Sequence, residues 1–256
     1  FSSMPVVPPH PWHGWNPSQT KRRETIQGYF TTITAMDRAI GRIVSKLDEL
    51  NLTNQTLVFF TSDNGFNVGH HGILGKGNGT YPLNMYEESV KVPFLAKWPG
   101  VIPSGQRTKA LISHYDFFPT ILDLLGLENP LSGDLPGKSF ADVLHGRSGG
   151  DDTVVVHEEY GPVRMIRDAH WKYIHRFPCG PNELYCLDED PGENINRVQD
   201  LGCRDILDRL RHELEVWFNR YALPEKDGAQ LPVTGKGQIG SLPARGSSRD
   251  CFVPYE

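Results

Sequence analysis

The chain has 256 residues, a formal net charge of −5 and a pI near 6.1, which argues against the basic balance of a nucleic-acid-binding domain, so no nucleic-acid partner is expected. With 38% hydrophobic and 22% charged residues, the composition excludes a wholly disordered or collagenous chain and suits one large domain or two smaller ones. No apolar run approaches the ~20 residues of a membrane helix, so no membrane partner is expected either.

Residues 1–20, rich in Pro, Trp and His, read as an irregular loop. From Thr20 to Leu50 the apolar residues Ile26, Phe30, Ile33, Ile40, Val44 and Leu47 recur at threes, fours and sevens, which predicts an amphipathic helix. The run Leu57-Val58-Phe59-Phe60 predicts a strand buried on both faces, hence a parallel sheet covered by helices. Residues 64–84 are rich in Gly, Asn and His and predict a long loop of the kind that is often functional. Val92–Trp98 predicts a second strand ended by Pro99-Gly100, and Phe117–Leu127 a helix stopped near Gly126.

Residues 128–152, rich in Gly, Pro, Asp and Ser, predict a boundary. It divides the chain into a partial α/β domain, 1–150, and an α+β subdomain with an extended tail, 151–256. Beyond it, Thr153–Val156, Arg164–Ile166, Trp171–Ile174 and Glu183–Leu187 predict the strands of a small antiparallel sheet. Asp205–Tyr221 places Ile206, Leu207, Leu210, Leu214, Trp217 and Phe218 on one face, so it predicts a helix packed on that sheet. Residues 222–256 read as a surface tail.

The four cysteines, Cys179, Cys186, Cys203 and Cys251, lie in the last third without metal-like spacing, and sequence does not choose among their three possible pairings. Disulfides and inert thiols are both open readings. The sequons at Asn51, Asn54 and Asn78 permit glycosylation in a eukaryotic secretory route. The chain opens at Phe1 without a basic segment and an apolar stretch, which reads as a processed product or a fragment.

Asp63-Asn64-Gly65 directly follows the first predicted strand. Alone it is a turn signal, but the carboxyl end of a strand is where open α/β sheets hold ligands. Asp63 and Asn64 offer one charged and one neutral oxygen, a pairing that suits Ca²⁺ or Mg²⁺ better than zinc. Lys76 stands thirteen positions beyond Asp63 in a Gly-rich loop.

Residues 58–100 run Val-Phe-Phe-Thr-Ser-Asp-Asn-Gly-Phe-Asn-Val-Gly-His-His-Gly-Ile-Leu-Gly-Lys-Gly and on through Tyr86-Glu87-Glu88-Ser89-Val90-Lys91-Val92-Pro93-Phe94 to Trp98-Pro99-Gly100. This block resembles the second half of a type I, formylglycine-dependent sulfatase of the alkaline-phosphatase-like superfamily. Ala35-Met36-Asp37, Trp171-Lys172-Tyr173, Glu183-Leu184-Tyr185 and the Asp188–Asn196 stretch extend the resemblance over roughly residues 20–220. It implies the carboxyl-terminal part of a sulfatase-type mixed sheet flanked by helices, followed by a small antiparallel sheet with one packed helix. It implies that Asp63 and Asn64 are metal ligands, for Ca²⁺ ahead of Mg²⁺, and that Lys76 contacts sulfate and acts in catalysis. It also implies a sulfated carbohydrate or other sulfate ester as substrate, and a secreted, periplasmic or lysosomal setting. A metal and a lysine suit the chemistry, because sulfate ester cleavage needs charge stabilised on the transferring group.

His70 and His71 could suggest zinc, but loop bracing is the expected role. In related phosphatases a His stands where Asn64 stands here, and a neutral amide argues for calcium and sulfate. His10, followed at once by Pro11, is a poor match to the family's sulfate-contacting His. Arg164, Arg167, His175 and Arg176 could touch an anionic sugar or form solvated strand faces.

The family's nucleophile is a formylglycine made from a Cys/Ser-x-Pro-x-Arg motif. No cysteine fits; Cys179-Gly180-Pro181-Asn182-Glu183 ends in Glu. Ser241-Leu242-Pro243-Ala244-Arg245 matches by residue type but lies in the tail, and it reads as coincidence. Asp151-Asp152 follows no buried strand, so the family's paired amino-terminal Asp ligands have no counterpart. The expectation is half a site, inactive alone, whose partner is the missing amino-terminal half of the same protein. Two alternatives are a non-catalytic, sulfated-glycan-binding pseudo-enzyme and a phosphoester or phosphonate hydrolase of the same superfamily.

Overall fold

The computed structural model describes residues 8–80, 82–158, 162–177 and 180–229. Cys179, Cys251, the Ser241–Arg245 match and the tail from residue 230 lie outside the described residues. The chain divides into two compact units between Gln106 and Arg107. Residues 107–150 group with the sheet that follows them rather than with the preceding helix and strands. The Asp151 N–H donates to the Leu111 carbonyl at 2.8 Å, and Lys138 Nζ reaches Asp151 Oδ1 at 2.8 Å.

The first unit opens with the predicted helix, α1 (Gln19–Glu49), whose cap Ser18 accepts from the Lys21 N–H. Ile26 is the only buried residue of its 31, while Phe30, Met36 and Ile43 are 48%, 45% and 64% exposed. Near its start, Tyr29 stacks on Phe66 with ring centroids 5.8 Å apart. Strand β1 (Val58–Phe60) is half-buried and lies antiparallel to β4 (Leu95–Lys97), with Phe59 opposite Ala96. The continuous apolar run is therefore a strand, but neither fully buried nor parallel. Its one ladder among the described residues is with a neighbour running the other way, and the partner strand's Leu95 is 64% exposed. Between them come β2 (Asn67–Val68) and β3 (Leu74–Gly75), which form a tight antiparallel pair, and the short helix α2 (Glu87–Val90).

The second unit holds α3 (Phe117–Leu124) and α4 (Ala141–Leu144). Gly126 takes φ +65° just past α3, the left-handed position that ends many helices. Strands β5 (Val154–His157), β6 (Val163–Arg167), β7 (Trp171–Arg176) and β8 (Glu183–Cys186) form an antiparallel sheet in sequence order. Helix α5 (Arg204–Tyr221) packs on one face. Val155, Ile166, Tyr173 and Leu184 from alternate strand positions meet Leu210, Leu214 and Phe218 of α5 in one core. Each such fully buried side chain contributes about 1.5–3 kcal/mol, so this core is a main source of the second unit's stability.

Candidate functional site

The three predicted site residues lie in the first unit. The Asp63-Asn64-Gly65 turn leaves the end of β1 and is fixed by its own hydrogen bonds. Asp63 Oδ1 accepts from the Asn64 N–H at 2.9 Å and from Ser62 Oγ at 3.3 Å, while Ser62 Oγ is 2.8 Å from the Asn64 carbonyl. The Gly65 N–H donates to the Ser89 carbonyl of α2 at 2.9 Å. A Cβ on Gly65 would lie 2.0 Å from the Glu88 carbonyl oxygen, so only glycine lets the turn seat this closely against α2.

Asp63 is exposed, and its carboxyl is held below the ordinary carboxylate range chiefly by the Asn64 N–H; a slight loss of hydration opposes this, and the Lys76 charge adds a further downward pull. The lowering favours the ionised carboxylate. Asn64 Nδ2 donates to the Gly65 carbonyl at 2.8 Å. Only the amide nitrogen can donate to that carbonyl, which turns Asn64 Oδ1 away from it. The turn thus offers a carboxylate and an amide oxygen from adjacent residues, with no sulfur or imidazole. This donor set fits a hard cation, and two residues supply only part of the six to eight oxygens that calcium takes.

Lys76 is exposed between β3 and a short 3₁₀ turn, Gly77–Gly79. A buried polar cluster anchors its backbone. Asn67, Asn84, Ser89 and Thr80 are 0–4% exposed. Asn84 Nδ2 donates towards the carbonyl of Gly77 and to Thr80 Oγ1, both at 3.1 Å, and more weakly towards the Lys76 carbonyl at 3.4 Å. These four residues were not read from the sequence as parts of the site. Asn84 and Thr80 lie in the turn-rich loop and Ser89 in a short helix, and single-residue patterns do not reveal that they meet. The one pointer was the Tyr86–Phe94 block itself.

The histidines brace this loop. His70 Nδ1 accepts from the Val68 N–H at 3.3 Å. His71 takes φ +51° and lies flat on Tyr86, with Nε2 3.3 Å from Glu88 Oε2. His13, which no motif marked, bridges the loop by donating from Nδ1 to the Gly79 carbonyl and accepting at Nε2 from the Leu74 N–H at 3.2 Å. His10 packs against Tyr86, its Nε2 3.2 Å from the hydroxyl, while its Nδ1 accepts from the Trp12 N–H.

The basic strand residues belong to the second unit and are committed to structural partners rather than to solvent. Arg176 is fully buried and donates to Glu183 Oε2 at 3.0 Å and to the Pro181 carbonyl at 2.7 Å. Arg164 pairs with Asp227 and lies 3.6 Å over the Phe218 ring. Arg167 donates to the Asp168 carbonyl at 3.2 Å. His175 is 2.7 Å from the Tyr173 hydroxyl, and burial first, with Arg211 and Arg164 adding, lowers its pKa to about 4.

Residues 5–127 match the sulfatase family, and residues 82–219 match the carboxyl-terminal region of N-sulphoglucosamine sulphohydrolase. The chain belongs to the sulfatase family. It is 30% identical over 188 residues to N-acetylglucosamine-6-O-sulfatase of Bacteroides thetaiotaomicron, covering 69% of this sulfatase chain and 32% of that protein. A solved protein in complex with its substrate D-glucosamine-2-N,6-O-disulfate superposes with a TM-score of 0.68 at 28% identity, over 78% of this chain and 41% of that one. The phosphonate monoester hydrolase of Agrobacterium radiobacter superposes with a TM-score of 0.62 at 27% identity, over 73% of this chain and 40% of that one. The sulfatase chain therefore spans less than half the length of each of these relatives. Among its described residues no helix is long and apolar enough to cross a membrane.

Proposed function

We propose that the chain is the metal- and sulfate-binding half of a sulfuric ester hydrolase acting on a sulfated carbohydrate or an aryl sulfate. One observation carries this reading: Asp63 and Asn64 share one turn at the end of β1, the Asn64 amide nitrogen is taken by the Gly65 carbonyl so that its oxygen is left for a ligand, and the Lys76 charge is among those that lower the Asp63 carboxyl. Asp63 and Asn64 would hold calcium, with magnesium second. When bound, the metal supplies a fixed positive charge against the sulfate oxygens. Lys76 would bind and orient the anionic ester through its ammonium and stabilise the negative charge that builds up as the ester bond breaks. Asn64 stays neutral and so adds an oxygen without adding repulsion towards an anionic substrate.

The nucleophile and the remaining metal ligands would come from the amino-terminal half of the same protein. Relatives of which this chain covers only 32% and 41% and the exposed apolar face of α1 support that division, as does the lack of an x-Pro-x-Arg sequence after any of the four cysteines. Alone, the chain would bind metal weakly and turn over nothing. The sulfated-sugar class is supported by the relatives that act on or bind sulfated glucosamine. A secreted, periplasmic or lysosomal compartment is part of the same reading.

The similarity to a phosphonate monoester hydrolase keeps one second reading in view. The test is to assay the intact gene product against matched sulfate, phosphate and phosphonate esters and to search its peptides for formylglycine. Preferred sulfate turnover, with loss of at least ~10²-fold in a Lys76→Ala variant, supports the proposal. Preferred phosphonate turnover replaces it with the second reading. An intact product of 28.8 kDa that binds sulfated glycan without turnover replaces it with a non-catalytic binding role.

A further inference from the structure

We propose that Asn84, acting through Ser89, is a positioning residue that locks the Lys76 loop to the Asp63-Asn64-Gly65 turn, so that the lysine and the metal-ligand pair move as one body. The inference rests on the reading of Lys76, Asp63 and Asn64 given above and extends it to residues that touch neither substrate nor metal.

The connection is continuous. At one end the Gly65 N–H donates to the Ser89 carbonyl at 2.9 Å. At the other, the Asn84 amide donates to the Gly77 carbonyl at 3.1 Å and reaches towards that of Lys76 at 3.4 Å, and the Asn84 backbone N–H reaches the Gly77 carbonyl at 3.0 Å. Between the ends, Ser89 Oγ donates to Asn84 Oδ1 at 2.6 Å and accepts from Asn67 Nδ2 at 2.7 Å. A second strut runs in parallel, because Asn67 Nδ2 also reaches the Gly75 carbonyl at 3.3 Å, one residue before Lys76.

The direction of each bond is forced. An amide nitrogen can only donate, so Asn67 obliges Ser89 Oγ to accept. The single serine proton then has to go to Asn84 Oδ1, which in turn points Asn84 Nδ2 at the loop carbonyls. Asn67 and Asn84 are 0% and 1% exposed and Ser89 4%, so water does not compete for these bonds. Asn67 Oδ1 is left as the one buried oxygen of the set without a hydrogen-bond partner, while the shared Asn67–Ser89–Asn84 bonds give the network a defined geometry. Lys76 is itself exposed and reaches the site on a flexible stem. Fixing its backbone relative to Asp63 is therefore the protein's means of setting the distance between lysine and metal.

The test uses the intact enzyme carrying Asn84→Asp, Lys76→Ala and the two together. Asn84→Asp keeps size and the acceptor for Ser89 but removes the side-chain amide that donates to the Gly77 and Lys76 carbonyls, leaving only the backbone N–H of residue 84 on the loop. The expected result is a fall in kcat of about tenfold to a hundredfold, with KM changed much less, as for loss of orientation rather than of binding. In the Lys76→Ala background the same substitution should cost almost nothing more, because its effect passes through the lysine. A full, additive loss in that background would show a general folding role and overturn the inference. An unchanged kcat in Asn84→Asp alone would overturn it as well.

Hydrogen exchange provides a readout that does not depend on turnover. Asn84→Asp should speed exchange at Gly79, whose N–H donates to the Lys76 carbonyl at 2.9 Å, and also at Gly65, at the far end of the chain of bonds. Faster exchange at Gly79 with Gly65 unchanged would show that the two ends are uncoupled. If Asn84→Asp does not fold, Ser89→Ala removes the relay hydroxyl alone and should give the same pattern more weakly. Full turnover in Lys76→Ala would overturn the role given to the lysine and leave the coupling to be decided by the exchange at Gly65.

Discussion

The His71 imidazole and the Tyr86 ring lie face to face, their centroids 3.7 Å apart and their planes within 9°. The stack holds a histidine with φ +51°, a backbone conformation that costs energy outside glycine. It also aims Nε2 at Glu88, next to the point where Gly65 touches α2. Replacing His71 with alanine should therefore cost about 1–3 kcal/mol in denaturant unfolding, from the lost stack and the abandoned carboxylate. Little change would mean that the loop is held by His13 and the polar cluster alone.

Glu88 gives that same variant a pH signature. Burial raises its carboxyl, yet the hydrogen bond and charge of His71 and a bond to its own backbone bring the folded value below the ordinary 4.5. A lowered folded pKa contributes stability that is present above the unfolded value and is lost as the pH falls through the folded one. Wild type and His71→Ala should therefore differ most above pH 4.5 and converge in stronger acid. Unfolding midpoints measured from pH 3 to 6 would show it.

His175 shifts in the sense expected of a buried histidine. Its pKa falls from 6.5 to about 4, so between those values the unfolded chain binds a proton that the folded chain refuses. Stability should rise with pH across this window, by about 3 kcal/mol in all. His175→Gln should flatten the slope. Urea unfolding at several pH values reads it, and an equal slope in both proteins would assign the acid sensitivity elsewhere.

Gly65→Ala places a methyl group 2.0 Å from a backbone oxygen, which no side-chain rotation can relieve. It should displace the metal-ligand turn and weaken binding of a luminescent lanthanide by at least about tenfold. Gly41→Ala is the control. It lies within α1 with nothing inside 4 Å of the added atom, and it should stabilise the helix by about 1 kcal/mol. Equal metal affinity in both variants would mean that the turn tolerates displacement.

Arg176→Met leaves Glu183, 5% exposed, without its 3.0 Å partner. Stripping one member from a buried pair costs about 3–5 kcal/mol. The loss should appear in unfolding midpoints, with KM for a sulfated substrate unchanged in protein that remains folded. A KM that rises while the unfolding midpoint holds would return Arg176 to the substrate.

The contrast between Arg176 and Asp63 shows what was legible in the sequence. Asp63, Asn64 and Lys76 stand in a block whose order alone suggests a site, and the turn's internal bonds follow from adjacent residues. Arg176 looks like any polar residue of an alternating strand, and its burial depends on a partner, Glu183, reached only once β7 and β8 have paired. The four strands and α5 were readable because period-two and period-3.6 patterns are local. The antiparallel ladder of β1 was not, since an apolar run reports burial and says nothing about the direction of its neighbour. The same limit hid Asn67, Asn84 and Ser89, whose bonds span up to 22 positions.

Helix α1 buries one residue of 31 and so draws little of its stability from packing, which is where most protein helices find it. Four threonines at 25, 31, 32 and 34 bond their hydroxyls to carbonyls four residues back, and threonine is a poor helix former. As the chain warms, this helix should fray well before the sheet and α5 give way. Any molecule that covers its apolar stripe would raise that first transition towards the second, so the gap between the two gauges how much of the stripe has been covered.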